Sequence, residues 1–408
     1  MERRLKTLKI ENNHFAIING KILTMSSLGI IDKGTILIKN SKIIAVGKDI
    51  KIPFGFEVFD AEGKFVTPGL IDAHTHLGII PLRAGYPRNE GNESTNPVTP
   101  AIRALDGINP QDPGFKTALK GGVTTAMILP GSLSGPREKL NVIAGQGTVV
   151  KCFGKTVDEM VLRHPACMKM GLGDRPKKTF SPSENQLKMP STRMGVASLI
   201  RTYLTKAKYY QLKIEKAKNN SSIDVEIDLE MEALSALLRR EYPARIHAYR
   251  ADDIYTAIRL AEEFKFDLIL DHATESVVLA EEIAKRNIPV VFGPIMHGKS
   301  IFELEKLSPD TPAKLVEKGV KVAITSDHPT RPIEYLTYHA AIAAREGLNW
   351  WEALKTITIN AAEILGVAHR VGSIEAGKDA DIVIFSDDPL EPLSKVETVF
   401  INGIKRYP

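Results

Sequence analysis

"TPGLIDAHTHLG", residues 67–78, closes a short apolar run with His74 and His76. Side chains two apart on a strand share a face, so these two imidazoles can converge on one ion. An ordinary pair on a strand has the same spacing. What separates the two readings is whether the rest of the chain supplies partners.

Upstream of this stretch the chain reads as a string of short strands, "FAIING", "KILTM", "GTILIKN", "KIIAVG" and "FEVFDAEG", with Asn19-Gly20 and Asn40-Ser41 between them as hairpin turn signals. The far end repeats the style in "DADIVIFSDD" and "VETVFINGIKRYP", with a second Asn-Gly at 402–403. Two all-β ends around a different middle predict one small sheet domain built by both termini.

The middle alternates strand and helix patterns. "TTAMILPG" (124–131) and "ARIHAYR" (244–250) read as buried strands, as do "FDLILDHA" (266–273), "IPVVFGP" (288–294) and "VKVAITSDHP" (320–329), with helical stretches between the later ones. In the helix predicted over 252–265, Ile254, Ala257, Ile258, Ala261 and Phe264 fall on one face, leaving Asp253, Glu262 and Lys265 to solvent. Repeated strand–helix units predict a parallel sheet with helices outside it. A closed eight-stranded barrel and an open doubly wound sheet both fit that pattern. The tract 131–243 is less regular, with strands at "NVIAGQGTVVKCFG" (141–154) and "ACMKMGLG" (166–173) and a long basic helix from Thr192 to about Asn219.

Composition narrows the function classes. The 408 residues are 43% hydrophobic and 25% charged, as in a soluble globular protein, and the net charge of +5 from 54 basic and 49 acidic residues gives no reason to invoke nucleic acid. Two cysteines, Cys152 and Cys167, exclude a disulfide framework and a cysteine-ligated zinc cluster and read as core thiols. "MERRLKTLKIENNHF" has no signal-peptide apolar stretch and no run has the length to span a membrane, so the expected compartment is the cytoplasm.

Partners for the histidine pair appear at one kind of place, the carboxyl end of a predicted strand: His247, His272 and Asp327. In a parallel α/β barrel those ends form one rim, where residues distant in sequence meet. Four imidazoles and a carboxylate there predict a metal site, and the ligand types suit zinc or another first-row divalent ion.

"TPGLIDAHTHLG", "GGVTTAMILPG", the strand-end histidines, "SDHP" and "GVAHRVGSIEAGKDADIVIF", in this order and spacing, resemble the amidohydrolase superfamily and within it the imidazolonepropionase-related branch. The resemblance runs from about residue 15 to the end. It implies a TIM (β/α)8 catalytic barrel over 67–366 and a small β-sandwich made from 1–66 and 367–408. It also implies His74, His76, His247, His272 and Asp327 as metal ligands, with Asp327 doubling as proton carrier for a metal-activated water. Relatives place a carboxylated lysine or a glutamate on the fourth strand; Asp174 in "GDRPK" matches that glutamate, with Lys169 the alternative, so one ion or two remains open. His297 in "GPIMHGKS" is the candidate for stabilising the oxyanion.

The expected activity is metal-dependent hydrolysis of a C–N bond in a small molecule: a cyclic amide, an amidine or a small peptide. A non-catalytic binding or assembly protein on the same fold and an ester hydrolase are the alternatives. The basic residues Arg137, Lys139, Lys169, Arg175, Lys177, Lys178 and Arg193 are candidates to bind a substrate carboxylate, although a solvated loop explains most of them. The resemblance implies a homo-oligomer.

Overall fold

Both chain ends meet in one eight-stranded sheet. The amino-terminal part contributes β1 (His14–Leu23), β2 (Ile30–Lys39), β3 (Lys42–Gly47), β4 (Glu57–Asp60) and β5 (Phe65–Pro68); the carboxyl-terminal part contributes β14 (Ile382–Phe385), β15 (Val396–Ile401) and β16 (Ile404–Tyr407). The order is β16-β15-β14-β5-β1-β2-β3, with β4 on β1, and the antiparallel β5–β14 pairing is the seam between the two ends. Asn19, Asn40 and Asn402 take left-handed backbone conformations at the turns, which asparagine tolerates better than most residues. Phe15, Ile17, Ile36, Ile38, Val66, Ile382 and Phe400 fill the core of this domain. The computed structural model describes residues 14–81, 90–131, 139–181, 183, 185–220, 224–298 and 301–408. Arg137 lies outside them, as does most of the amino-terminal stretch read for a leader.

The middle of the chain forms a near-closed barrel of eight strands in sequence order: β6 (Leu70–Thr75), β7 (Val123–Ile128), β8 (Ile143–Lys151), β9 (Val161–Gly171), β10 (Ala244–Ala248), β11 (Leu268–His272), β12 (Val290–Phe292) and β13 (Val322–Ile324). Of the two arrangements left open by the strand–helix pattern, the structure takes the barrel. It departs from an all-parallel barrel at one stave, since β8 runs antiparallel to both β7 and β9. Only residues 152–160 connect β8 to β9, which is shorter than the dozen or so residues that a parallel crossover needs.

Alternation along the staves sorts the interior into layers. Ile71, Ala73, Met127, Leu129, Val149, Cys167, Ile269, Val291 and Ala323 form an apolar floor, closed from outside by Ala361, Ala362 and Ile364 of a short helix. Opposite-parity residues such as Ile246, Leu270 and Val322 pack outward on the helices. The helix Ala251–Phe264 buries Ile254, Ala257, Ile258, Ala261 and Phe264 as its spacing predicts. Asp253 on it is buried as well, against expectation, because Arg193 reaches across to it at 3.1 Å.

Strands β6 and β13 close the ring through side chains. Asp72 Oδ1 lies 2.5 Å from Thr325 Oγ1, while Asp72 Oδ2 accepts from the Ser326 hydroxyl at 2.5 Å and the Ser326 amide at 3.2 Å. Burial pushes the Asp72 carboxyl up to about 6, against the pull of the Ser326 and Thr325 hydrogen bonds. This seam sets the first strand's histidines beside the residue after Ser326, which is Asp327.

Candidate metal centre

Above the apolar floor lies a charged layer. Arg245 and Lys169, both fully buried, converge on Asp271. Lys169 Nζ donates to Asp271 Oδ2 at 2.5 Å, and Arg245 Nε donates to Oδ1 at 2.9 Å while its NH1 reaches the Ala73 carbonyl at 3.0 Å. Burial pushes the Asp271 carboxyl up, but Arg245 and Lys169 outweigh it and hold it well below the carboxylate range. Asp271 Oδ1 also stands 3.3 Å from His74 Nδ1, without hydrogen-bond alignment.

The rim is the next layer. His74, His76 and Asp327 each offer a ligand atom within 4.8 Å of the others, and all three are buried. His247 and His272 flank this trio: the His272 ring centre is 4.7 Å from that of His74 and 4.6 Å from that of His247. Strand parity alone points His272 away from Ile269 and Asp271, outside the barrel. It turns inward because its backbone is left-handed, φ 67°, a conformation histidine visits more readily than most residues. Asp327 is turned in the same way, φ 54°.

Hydrogen bonds fix which ring nitrogens face the centre. His76 Nδ1 donates to the Leu129 carbonyl at 2.7 Å and His272 Nδ1 to the Gly293 carbonyl at 2.6 Å, which leaves both Nε2 atoms as lone-pair donors. Gly293 allows this approach, since a Cβ there would lie 2.5 Å from the Thr325 carbonyl oxygen. Burial pulls His272 down to about 4 and His74 and His247 well below their ordinary range, so these three imidazoles are neutral at pH 7. Burial would raise Asp327, yet the contact with His76 leads the effects that hold its carboxyl far below the usual range. His76 Nε2 lies 3.3 Å from Asp327 Oδ1. His247 Nε2 and Asp327 Oδ1 are buried with no hydrogen-bond partner.

This arrangement is unfavourable by itself, since each buried unsatisfied polar atom costs about 1–3 kcal/mol. Neutral imidazole nitrogens around a carboxylate are the donor set of a divalent cation, and a cation at their centre removes the penalty. The residues present fit a zinc-type ion.

The family model described as "Amidohydrolase family" matches residues 65–405. The chain belongs to the amidohydrolase family. An amidohydrolase from Thermotoga maritima MSB8 of known structure is 43% identical, with a TM-score of 0.91 over 96% of this chain and 99% of that one. The imidazolonepropionase of Sphingopyxis alaskensis is 26% identical over 97% of each chain, which agrees with the imidazolonepropionase-related branch. "Amidohydrolase tasK" of Hapsidospora irregularis is 28% identical over 92% of this chain, and this chain spans 40% of that protein's length. Family membership makes the chain, in general terms, a hydrolase of C–N bonds.

Two residues singled out in the sequence are not brought into this amidohydrolase's rim cluster. Asp174 opens the helix Asp174–Phe180 after Gly173 turns the chain at φ 87°, and its carboxylate pairs with Lys177 at 2.8 Å and Arg193 at 3.0 Å. The fourth-strand side chain inside the barrel is Lys169. His297 is half-exposed on the loop after β12, with Nδ1 2.7 Å from the carbonyl oxygen of Gly298. Asp271 and Arg245 were missed, although a lone charge in "LILDH" and another in "ARIHA" were signals: each shares parity with inward-facing neighbours on its strand. Both cysteines are buried and free. No helix among the described residues is long and apolar enough to cross a membrane.

Proposed function

We propose that this chain hydrolyses a C–N bond of a small molecule, a cyclic amide, an amidine or a small peptide, with a divalent ion held by His74, His76, His247, His272 and Asp327. The observation that carries this reading is the buried, 3.3 Å approach of His76 Nε2 to the Asp327 carboxylate, where a cation or a proton must lie between them. Zinc suits the donor set best, because imidazole nitrogen and carboxylate oxygen without thiolate match its catalytic sites.

A bound ion of this kind supplies Lewis-acid activation of water and of the scissile carbonyl. Asp327, ionised at neutral pH, takes the proton from the attacking water and delivers it to the leaving nitrogen. Asp271 holds the His74 ring from behind. Lys169 is assigned the fourth-strand place in preference to Asp174; as an ammonium it has no lone pair, so in this form it acts on the centre through charge. The substrate is expected to carry a carboxylate.

The test is a metal assay of the purified protein followed by a panel of hydantoins, imidazolones and dipeptides, before and after chelation. The reading expects bound divalent metal and turnover of at least one C–N substrate that chelation abolishes and zinc restores. Ester turnover with no amide turnover, or a protein that takes up no metal on reconstitution, overturns it.

A further inference from the structure

Resting on the metal-centre reading above, we infer that Arg331 is a positioning residue: its guanidinium straps the loop after β13 to the loop after β12 and so keeps Asp327 and His272 aimed at one point. The parallel ladder between these two strands ends where the Thr325 amide donates to the Phe292 carbonyl at 3.0 Å. What the site takes from this edge of the barrel lies just past that end. It is the Gly293 carbonyl, which holds His272 Nδ1 at 2.6 Å, and the Asp327 carboxylate. Backbone beyond the last ladder bond has lost the pairing that fixes its spacing, so another contact must hold the two loops together.

Among the described residues, the direct hydrogen bond between loops 293–298 and 326–331 is made by Arg331. Its Nε donates to the Met296 carbonyl at 2.5 Å. NH1 of the same group donates to the Thr330 carbonyl at 2.6 Å, and the Thr330 amide closes a turn on the Asp327 carbonyl at 2.8 Å. One planar fork thus grips the Asp327 turn with one nitrogen and, with another, the chain three residues beyond Gly293; a lysine offers a single donor centre for both tasks. The Ile295 amide donates to His339 Nδ1 at 3.1 Å, which ties the same loop to the helix Leu336–Arg345 outside the barrel and not to Asp327. His272 depends on this loop, because a left-handed backbone, φ 67°, turns its ring inward and the Gly293 carbonyl fixes the tautomer that leaves Nε2 toward the centre. Both Arg331 bonds end on main-chain carbonyls, so removing the guanidinium acts through the position of the loops and not through an unpaired carboxylate.

The experiment strips wild type, Arg331→Met and Arg331→Lys of metal and titrates each with Co2+, whose visible absorption reports ligand geometry, and with Zn2+ against a chromogenic chelator. Arg331→Met is expected to bind both ions about 10-fold more weakly, the lower end of what outer hydrogen-bond partners contribute, and to show altered Co2+ bands; Arg331→Lys recovers part of the affinity. Wild-type affinity and bands in folded Arg331→Met overturn the inference, even where that variant unfolds at lower denaturant, since a merely structural bond has that effect alone. If Arg331→Met does not fold, Arg331→Lys decides: weaker binding with altered bands upholds the inference, and wild-type values overturn it. If the wild type takes up no metal, the metal-centre reading fails separately, and Arg331 is judged on the metal-free protein by proton NMR of the His272 Nδ1–H, identified by its loss in His272→Gln. Faster solvent exchange of that proton in the Arg331 variant then upholds the inference; an unchanged rate overturns it.

Discussion

Two buried ionic clusters sit at opposite ends of the barrel, and they are finished differently. At the amino-terminal end, where Lys151 of β8 lies beside Thr125 near the start of β7, Lys151 Nζ bonds Asp379 at 2.7 Å and Asp381 at 3.0 Å and also reaches Asn402. Lys42 and Arg370 add to Asp379 at 2.5 and 2.7 Å. In that cluster only Asp381 Oδ2 lacks a partner, and the network bolts the terminal sheet to the barrel. At the carboxyl rim, His74 Nδ1, His247 Nε2 and Asp327 Oδ1 are all left without hydrogen bonds. A closed network stabilises; an open one, buried at a cost, is a place prepared for something else.

The comparison breaks most easily at Asp327. Asp327→Asn keeps the size of the side chain and removes the base, so kcat is expected to fall by about 10²–10⁴ while the protein stays folded and retains most of its metal. Full activity in this variant contradicts the proton-carrier role. At the other cluster Lys151→Met takes from Asp381 its cation and from Asp379 one of three, and is expected to lose roughly 3–5 kcal/mol in denaturant unfolding, with kcat of the folded protein unchanged. A collapse of kcat without loss of stability would erase the distinction between bolt and site.

A third cut separates stability from the rim by pH. His339 is buried, accepts the Ile295 amide on Nδ1 at 3.1 Å, and is pulled by burial from 6.5 down to about 3. A depressed folded-state pKa contributes stability that is complete above about 6.5 and is lost as pH falls toward the folded value. His339→Gln should therefore flatten the fall of unfolding free energy between about pH 6.5 and 4.5, by on the order of 2–3 kcal/mol. Parallel pH profiles for the two proteins would remove His339 from the account. The smallest effect is expected from Asp174→Asn, whose ion pairs are part-exposed: under about 1 kcal/mol of stability and unchanged metal content. Loss of metal in that variant would return Asp174 to the ligand set.

What the sequence made legible follows physical lines. The strand-end histidines were readable because an imidazole after an apolar run is costly unless it has a purpose, and His247, His272 and Asp327 fall at spacings of whole strand–helix units. The two-ended sheet was readable from its turns. The inward aim of His272 was not, since it depends on one left-handed residue against strand parity. Nor was the direction of β8, which short connections hint at but periodicity cannot carry. The likeness of "GDRPK" to the family's glutamate motif points to Asp174, whereas the barrel interior is decided by parity along β9, where Lys169 shares a face with Cys167 of the floor. Arg245 and Asp271 each looked like an isolated charge and acquire meaning only as a pair across neighbouring strands.

The central claim is that side chains from separate staves share one cation. Its most direct test is a competitive zinc titration of the chelated protein, wild type against His247→Ala, followed by calorimetry or a chromogenic chelator. The account predicts stoichiometric binding in the wild type and an affinity at least about 10-fold weaker in the variant. No binding in the wild type, or the same affinity in both, would contradict it.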